Sequence, residues 1–212
     1  MNLDASCPRC GAPVAGPAGA VPRCSRDGEV APLWRPVEMG YDAFAQVLVL
    51  AEPVPTYLPW PMSPGWSLAD VGAVATGAGR AGRASVTRTV GSTDLDGSVE
   101  VTIVSEDPGV GLGARCAGVE QVDPGVDVTA DVPAIRVRAE GRAVPLWSLE
   151  AADADPLTRA VFVGEADGRW LWLVVRPAAA ALLLRDEWLL ADVTGIGPEA
   201  LEMPFGGDRG EW

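Results

Sequence analysis

Cys7-Pro8-Arg9-Cys10-Gly11, followed by Cys24-Ser25-Arg26-Asp27-Gly28, is the group of residues best suited to chemistry. Two thiolates two residues apart on a tight turn, with a glycine next so that backbone N–H groups approach the sulfurs, make half of a zinc knuckle. The second half offers one thiolate, Cys24, and puts Asp27 where a further cysteine or histidine is usual. A carboxylate oxygen can ligate zinc, although structural sites favour sulfur and nitrogen. The expected ligands are Cys7, Cys10, Cys24 and Asp27, with water as the alternative fourth. A knuckle without metal, held by packing alone, is the competing expectation. A catalytic zinc with an open position would need a neighbouring acid or base, and none is identifiable.

A second candidate is Gly109-Val110-Gly111-Leu112-Gly113-Ala114, ahead of Arg115. It matches G-x-G-x-x-A between an expected strand and helix, where backbone N–H groups and Arg115 could meet a phosphate-bearing nucleotide or CoA-type ligand. Glu106 and Asp107 set two negative charges beside such an anion, and no acid follows at the spacing a βαβ unit requires. The packing alternative is that the glycines let a helix close on a sheet, with Asp107 favoured at its N-terminus. Tyr57, Trp60 and Trp66, interleaved with prolines, suit either an extended-peptide surface or a rigid core edge. Trp170 and Trp172 share a strand face and are expected in the core, as is Cys116. The acid pairs Glu106/Asp107, Glu165/Asp167 and Asp186/Glu187 are expected at solvated strand ends.

Composition removes more chemistry than these motifs supply. The 212 residues include no histidine and no lysine, so all 16 basic side chains are arginine. Histidine-based nucleophile systems, Schiff bases and P-loop lysines are absent with them. A net charge of −13 and a pI near 4.3 disfavour nucleic acid and anionic membranes as partners. Residues 1–36 carry four arginines and three acids, so the acidity lies in residues 37–212. The expected division is a zinc-ribbon-like knuckle and connector over 1–36 and an acidic α+β domain over 37–212. The connector is the proline-bounded run Ala31 to Pro36. No signal-like start or membrane-length apolar stretch is evident, so the expected location is cytoplasmic, where thiols stay reduced.

The elements that must position these residues read as short antiparallel strands with two short helices, a β-dominated α+β class. Strands are expected over 45–50, 67–74, 84–90, 98–105, 134–139, 143–149, 160–165, 169–175 and 187–192, and helices over 110–119 and 178–185. Asp96-Gly97 and Asp167-Gly168 are expected as type I′ hairpin turns. Five prolines between Glu52 and Trp66 exclude a helix or a central strand there. Trp66-Ser67-Leu68 and Trp147-Ser148-Leu149 open two similar runs, the pattern of a duplicated β-β-β-α-β unit.

The blocks CPRCG, CSRDGEVAPL, YLPWPMSPGW, EDPGVGLGARCAG, DPG, PLW and VGEADGRWLWLVVRP, in that order from Cys7 to about Asp192, carry a further likeness. The chain resembles an uncharacterised family of high-GC Gram-positive bacteria with an N-terminal CxxCG…CxxHG zinc-ribbon-like knuckle. Asp27 stands where that family's histidine would be. Some members carry an automatically assigned phosphotransacetylase label, which no acyl-CoA or phosphate constellation here supports. The expected function is a non-catalytic interaction or regulatory protein with an unidentified protein partner and a structural zinc. The alternative is a small-anion binder or enzyme using Gly109, Gly111, Gly113 and Arg115.

Overall fold

A computed structural model describes residues 3–15, 21–76, 81–125, 128, 131–150, 157–186, 188–210 and 212. Runs rich in valine, threonine and leucine form strands: β1 (Leu3–Ser6), β2 (Arg23–Cys24), β3 (Gly28–Glu29), β4 (Leu33–Pro36), β5 (Tyr57–Pro59), β6 (Ser67–Ala75) and β7 (Gly82–Thr93). They continue as β8 (Gly97–Glu106), β9 (Ile135–Ala139), β10 (Arg142–Leu149), β11 (Ala160–Ala166), β12 (Arg169–Arg176) and β13 (Leu189–Asp192). Helices are α1 (Tyr41–Ala51) and α2 (Leu112–Ala117), with 3-10 helices at Ala178–Asp186 and Gly197–Glu202. The molecule is thus β-dominated α+β, as expected. The expected strand start at Glu187 and the end of the second echo at Ala151 lie outside the described residues.

One sheet has the order β1-β4-β6-β7-β8-β12-β11-β10-β9-β13-β5, and β2 and β3 form a separate hairpin. Its centre is two three-stranded meanders, β6-β7-β8 and β12-β11-β10, joined back to back where β8 pairs antiparallel with β12. The two echoing runs therefore occupy matching places about the β8–β12 seam. Beyond these strands the likeness stops, because β13 pairs with β9 and β5. The proline-rich strand β5 takes the far edge, where a missing N–H costs no ladder bond. The sheet curls until this edge lies over β7, whose Ser85 and Thr87 hydroxyls donate to the Pro55 and Tyr57 carbonyls at 2.6 and 2.8 Å.

Both sheet faces are covered. Val99, Val101, Ile103, Leu171 and Leu173 fill one side, and Val86, Val104, Trp172 and Val174 meet α2 on the other. Residues 45–50 are a correction: they lie in α1, not in a strand. Phe44, Val47, Leu48 and Ala51 recur at helical spacing and are buried against β6, while Val49 is exposed. Asp167 and Gly168 both have positive φ, as a type I′ turn requires, and so do Glu140 and Gly141 between β9 and β10. At Asp96-Gly97 only Gly97 does, because Thr93 pairs with Gly97 and leaves a three-residue loop braced by Thr93–Asp96 hydrogen bonds.

Candidate metal centre and aromatic groove

The knuckle grows from two tight turns. At the first, the Gly11 N–H donates to the Cys7 carbonyl at 3.0 Å, and Gly11 takes φ +73°, a conformation that favours glycine. At the second, β2 and β3 pair Cys24 with Gly28, which holds Asp27 on the turn between them. The sulfurs of Cys7, Cys10 and Cys24 and an Asp27 carboxylate oxygen lie within 4.8 Å of one another. Asp27 Oδ2 is 3.2 Å from Cys7 Sγ and 3.3 Å from Cys24 Sγ, and Cys10 Sγ is 3.4 Å from Cys24 Sγ. A tetrahedron with zinc–sulfur bonds of about 2.3 Å has edges of about 3.7 Å, so the cluster is close to the size such an ion needs. Three soft sulfurs and one oxygen suit zinc and exclude magnesium or calcium.

Electrostatics follow from these contacts. Burial pushes the Cys7 thiol up to about 12, and burial followed by the Asp27 carboxylate raises Cys10. The backbone N–H groups of Asp27 and Arg26 lower Cys24, and thiol donation, from Cys10 first, holds Asp27 below the usual carboxylate range. Without metal, the cluster is a set of thiols donating to one carboxylate. Metal uptake would release their protons, so affinity falls as pH falls.

Gly109, Gly111, Gly113 and Arg115 stand around α2, directly behind the knuckle. The Gly109 N–H donates to both Asp123 carboxylate oxygens at 2.8 and 3.0 Å, while Leu112 and Gly113 N–H groups donate to Glu106 at 2.8 and 3.1 Å. Three amides that an anion would use are thus aimed at the protein's own carboxylates. Arg9 holds the Gly109 and Val110 carbonyls at 2.6 and 3.2 Å, and Arg115 donates to the Cys7 carbonyl at 2.9 Å and to the Trp212 main-chain oxygen at 2.6 Å. Gly113 packs so closely on Trp172 that a Cβ there would overlap the indole.

Glu106 departs from the expected solvated strand end. It is fully buried, caps α2, and its carboxyl is pushed up to about 7 by burial, with the Gly113 and Leu112 amides pulling it back. Asp107, expected at the helix N-terminus, pairs instead with Arg83 and Arg169. Cys116 is buried as expected, and burial raises its thiol to about 12.

The aromatic segment divides. Tyr57 is buried and belongs to the core, whereas Trp60 and Trp66 line a cleft of about 310 Å³ with Pro59, Pro61, Leu183 and Trp188. Trp188 meets Trp66 edge to face at 6.0 Å. The indole N–H groups of Trp60, Trp66 and Trp188 make no hydrogen bond among the described residues. Trp188 was not expected here: it is 122 positions beyond Trp66, and only the curl that carries β13 to β5 brings them together.

Among the described residues, no helix is long and apolar enough to cross a membrane. Neither the curated proteins nor the solved structures contain a match to this chain. A family of unknown function, DUF6758, matches residues 1–209, and on that extent the chain belongs to it.

Proposed function

We propose that this is a non-catalytic interaction or regulatory protein of the cytoplasm whose residues 1–36 are held by a structural zinc ion. The observation that carries this is the convergence of Cys7, Cys10, Cys24 and Asp27 within 4.8 Å from two turns some 14 residues apart in sequence. Cysteines placed for no purpose have no reason to converge on a carboxylate, and three thiolates with one oxygen are a donor set zinc takes readily. The knuckle is a staple rather than a reaction centre, since the buried carboxylate and the two arginines nearest to it in the fold are taken up in structural contacts. Glu106 caps α2, and Arg9 and Arg115 hold main-chain carbonyls.

The partner surface in this account is the cleft of Trp60, Trp66 and Trp188, and its occupant is an extended, proline-containing segment of another protein. Flat aromatic walls suit a proline ring, and indole N–H groups without a hydrogen bond among the described residues suit the carbonyls of an extended chain. Elemental analysis of purified protein tests the metal: zinc is expected equimolar with the chain and strongly reduced in Cys10→Ser. Protein free of zinc after purification and refusing added zinc would sink the proposal.

A further inference from the structure

Behind the knuckle, the segment after the second 3-10 helix runs back across the sheet as a strap. The Leu68 N–H donates to the Pro204 carbonyl at 2.8 Å, and the Gly206 N–H donates to the Leu68 carbonyl at 3.2 Å, so Phe205 lies alongside β6. Glycines then allow close contact: a Cβ at Gly207 would come within 2.6 Å of the Val90 side chain, and one at Gly210 within 2.8 Å of Arg88. Three arginines hold the strap by its main-chain oxygens. Arg88 donates to Asp208 at 2.5 Å, Arg35 to Gly210 at 2.6 Å and Arg115 to Trp212 at 2.6 Å. Arg35 also lies over the Trp212 ring at 4.0 Å, and that ring packs against the cluster containing Leu33 and Val74.

The three grips differ in what anchors the arginine. Arg88 and Arg35 are fixed from within the sheet by Glu100 and Asp70. Arg115 is fixed by the knuckle: its Nη1 donates to the Cys7 carbonyl at 2.9 Å, and its guanidinium sits on Gly11, where a Cβ would be 2.6 Å from Nη2. A second tie, Arg209 to Asp4 at 3.0 Å, joins the strap to β1 just ahead of Cys7, although both side chains are well exposed and the pair contributes little.

We infer that the knuckle and the strap form one latch, in which metal at Cys7, Cys10, Cys24 and Asp27 fixes the Cys7–Gly11 turn, the turn seats Arg115, and Arg115 holds Trp212 down. Loss of the metal leaves the turn its own backbone hydrogen bonds, Gly11 to Cys7 and Cys7 to Ala12, but ties it to the Cys24–Asp27 half of the knuckle only by weak thiol hydrogen bonds, so the turn shifts and Arg115 loses its seat. The strap then lifts from its far end, uncovering Arg35 and the apolar seat of Trp212. The latch rests on the zinc proposal and adds a consequence of metal state that can be measured apart from metal content.

Limited trypsin cleavage after Arg209, read by mass spectrometry, tests it on the full chain in three samples, each with its zinc content measured: zinc-loaded, stripped by a chelator, and zinc-loaded Arg115→Ala. In the loaded chain the bond after Arg209 is expected to be cut slowly, because Arg88 and Arg35 hold the main-chain oxygens on either side of it. Stripping is expected to speed that cut at least about tenfold while cleavage within β7, after Arg83 and Arg88, stays slow, which is local opening rather than unfolding. Arg115→Ala is expected to free the strap with zinc retained, and this decides the matter if the stripped chain unfolds throughout. A strap cut equally slowly in the loaded and stripped chains, or still cut slowly in Arg115→Ala, overturns the latch and leaves the zinc proposal standing. A chain that never holds zinc takes both down.

Discussion

At the scale of single residues, Glu106 and Asp27 show how a carboxylate's neighbours set its behaviour. Asp27 is surrounded by donors and held ionised, whereas Glu106 lies under Trp172 and α2 with its carboxyl near 7. Since the folded chain binds the Glu106 proton more tightly than the unfolded chain, its contribution to stability is complete below the unfolded value and is lost as pH rises through about 7. Over that window the loss is about 3 kcal/mol, from the displacement of a fully buried group. Urea denaturation at about pH 5 and about pH 8 should show it, and Glu106→Gln should flatten the difference. An equal slope in the variant would assign the pH dependence to other groups. The burial itself was illegible in the sequence: an acid next to Asp107 at a strand end reads as solvated, and only the register that places Trp170 opposite Glu106 encloses it.

Among the elements, those whose pattern is local were legible and those whose pattern is shared were not. The β-branched runs of β6, β7, β8, β11 and β12 gave their strands within a few residues, and Asp167-Gly168 gave its turn. Helix α1 was misread because Val47 to Leu50 is apolar throughout, and its helical spacing is visible only with Phe44 and Ala51 included. The cleft was half legible: Trp60 and Trp66 mark it, but Trp188 comes from β13's approach and Tyr57 turns inward. If the cleft receives a proline-containing segment, a labelled oligoproline peptide should bind saturably. Trp66→Ala should weaken it by about thirtyfold, the loss of a central aromatic anchor of about 2 kcal/mol. Equal binding by the variant would place the partner surface elsewhere.

For the molecule as a whole, the sheet is extended at one edge by β4 and β1, and the knuckle lies against α2 through Arg9 and Arg115. The gathering of Cys7, Cys10, Cys24 and Asp27 was the most legible part of the candidate site, since a CxxCG turn by itself brings two of the four together. The meeting of that turn with Cys24 and Asp27 depends on β2 pairing with β3, a hairpin the sequence reading did not include. What sequence could not give is what the knuckle is fastened to, because Arg115 and Trp212 lie 108 and 205 positions from Cys7. The central claim is that Cys7, Cys10, Cys24 and Asp27 together hold zinc, and X-ray absorption at the zinc edge on purified protein tests it most directly. Three sulfur neighbours at about 2.3 Å and one oxygen at about 2.0 Å are predicted. No bound zinc, or a zinc shell without sulfur, would contradict it.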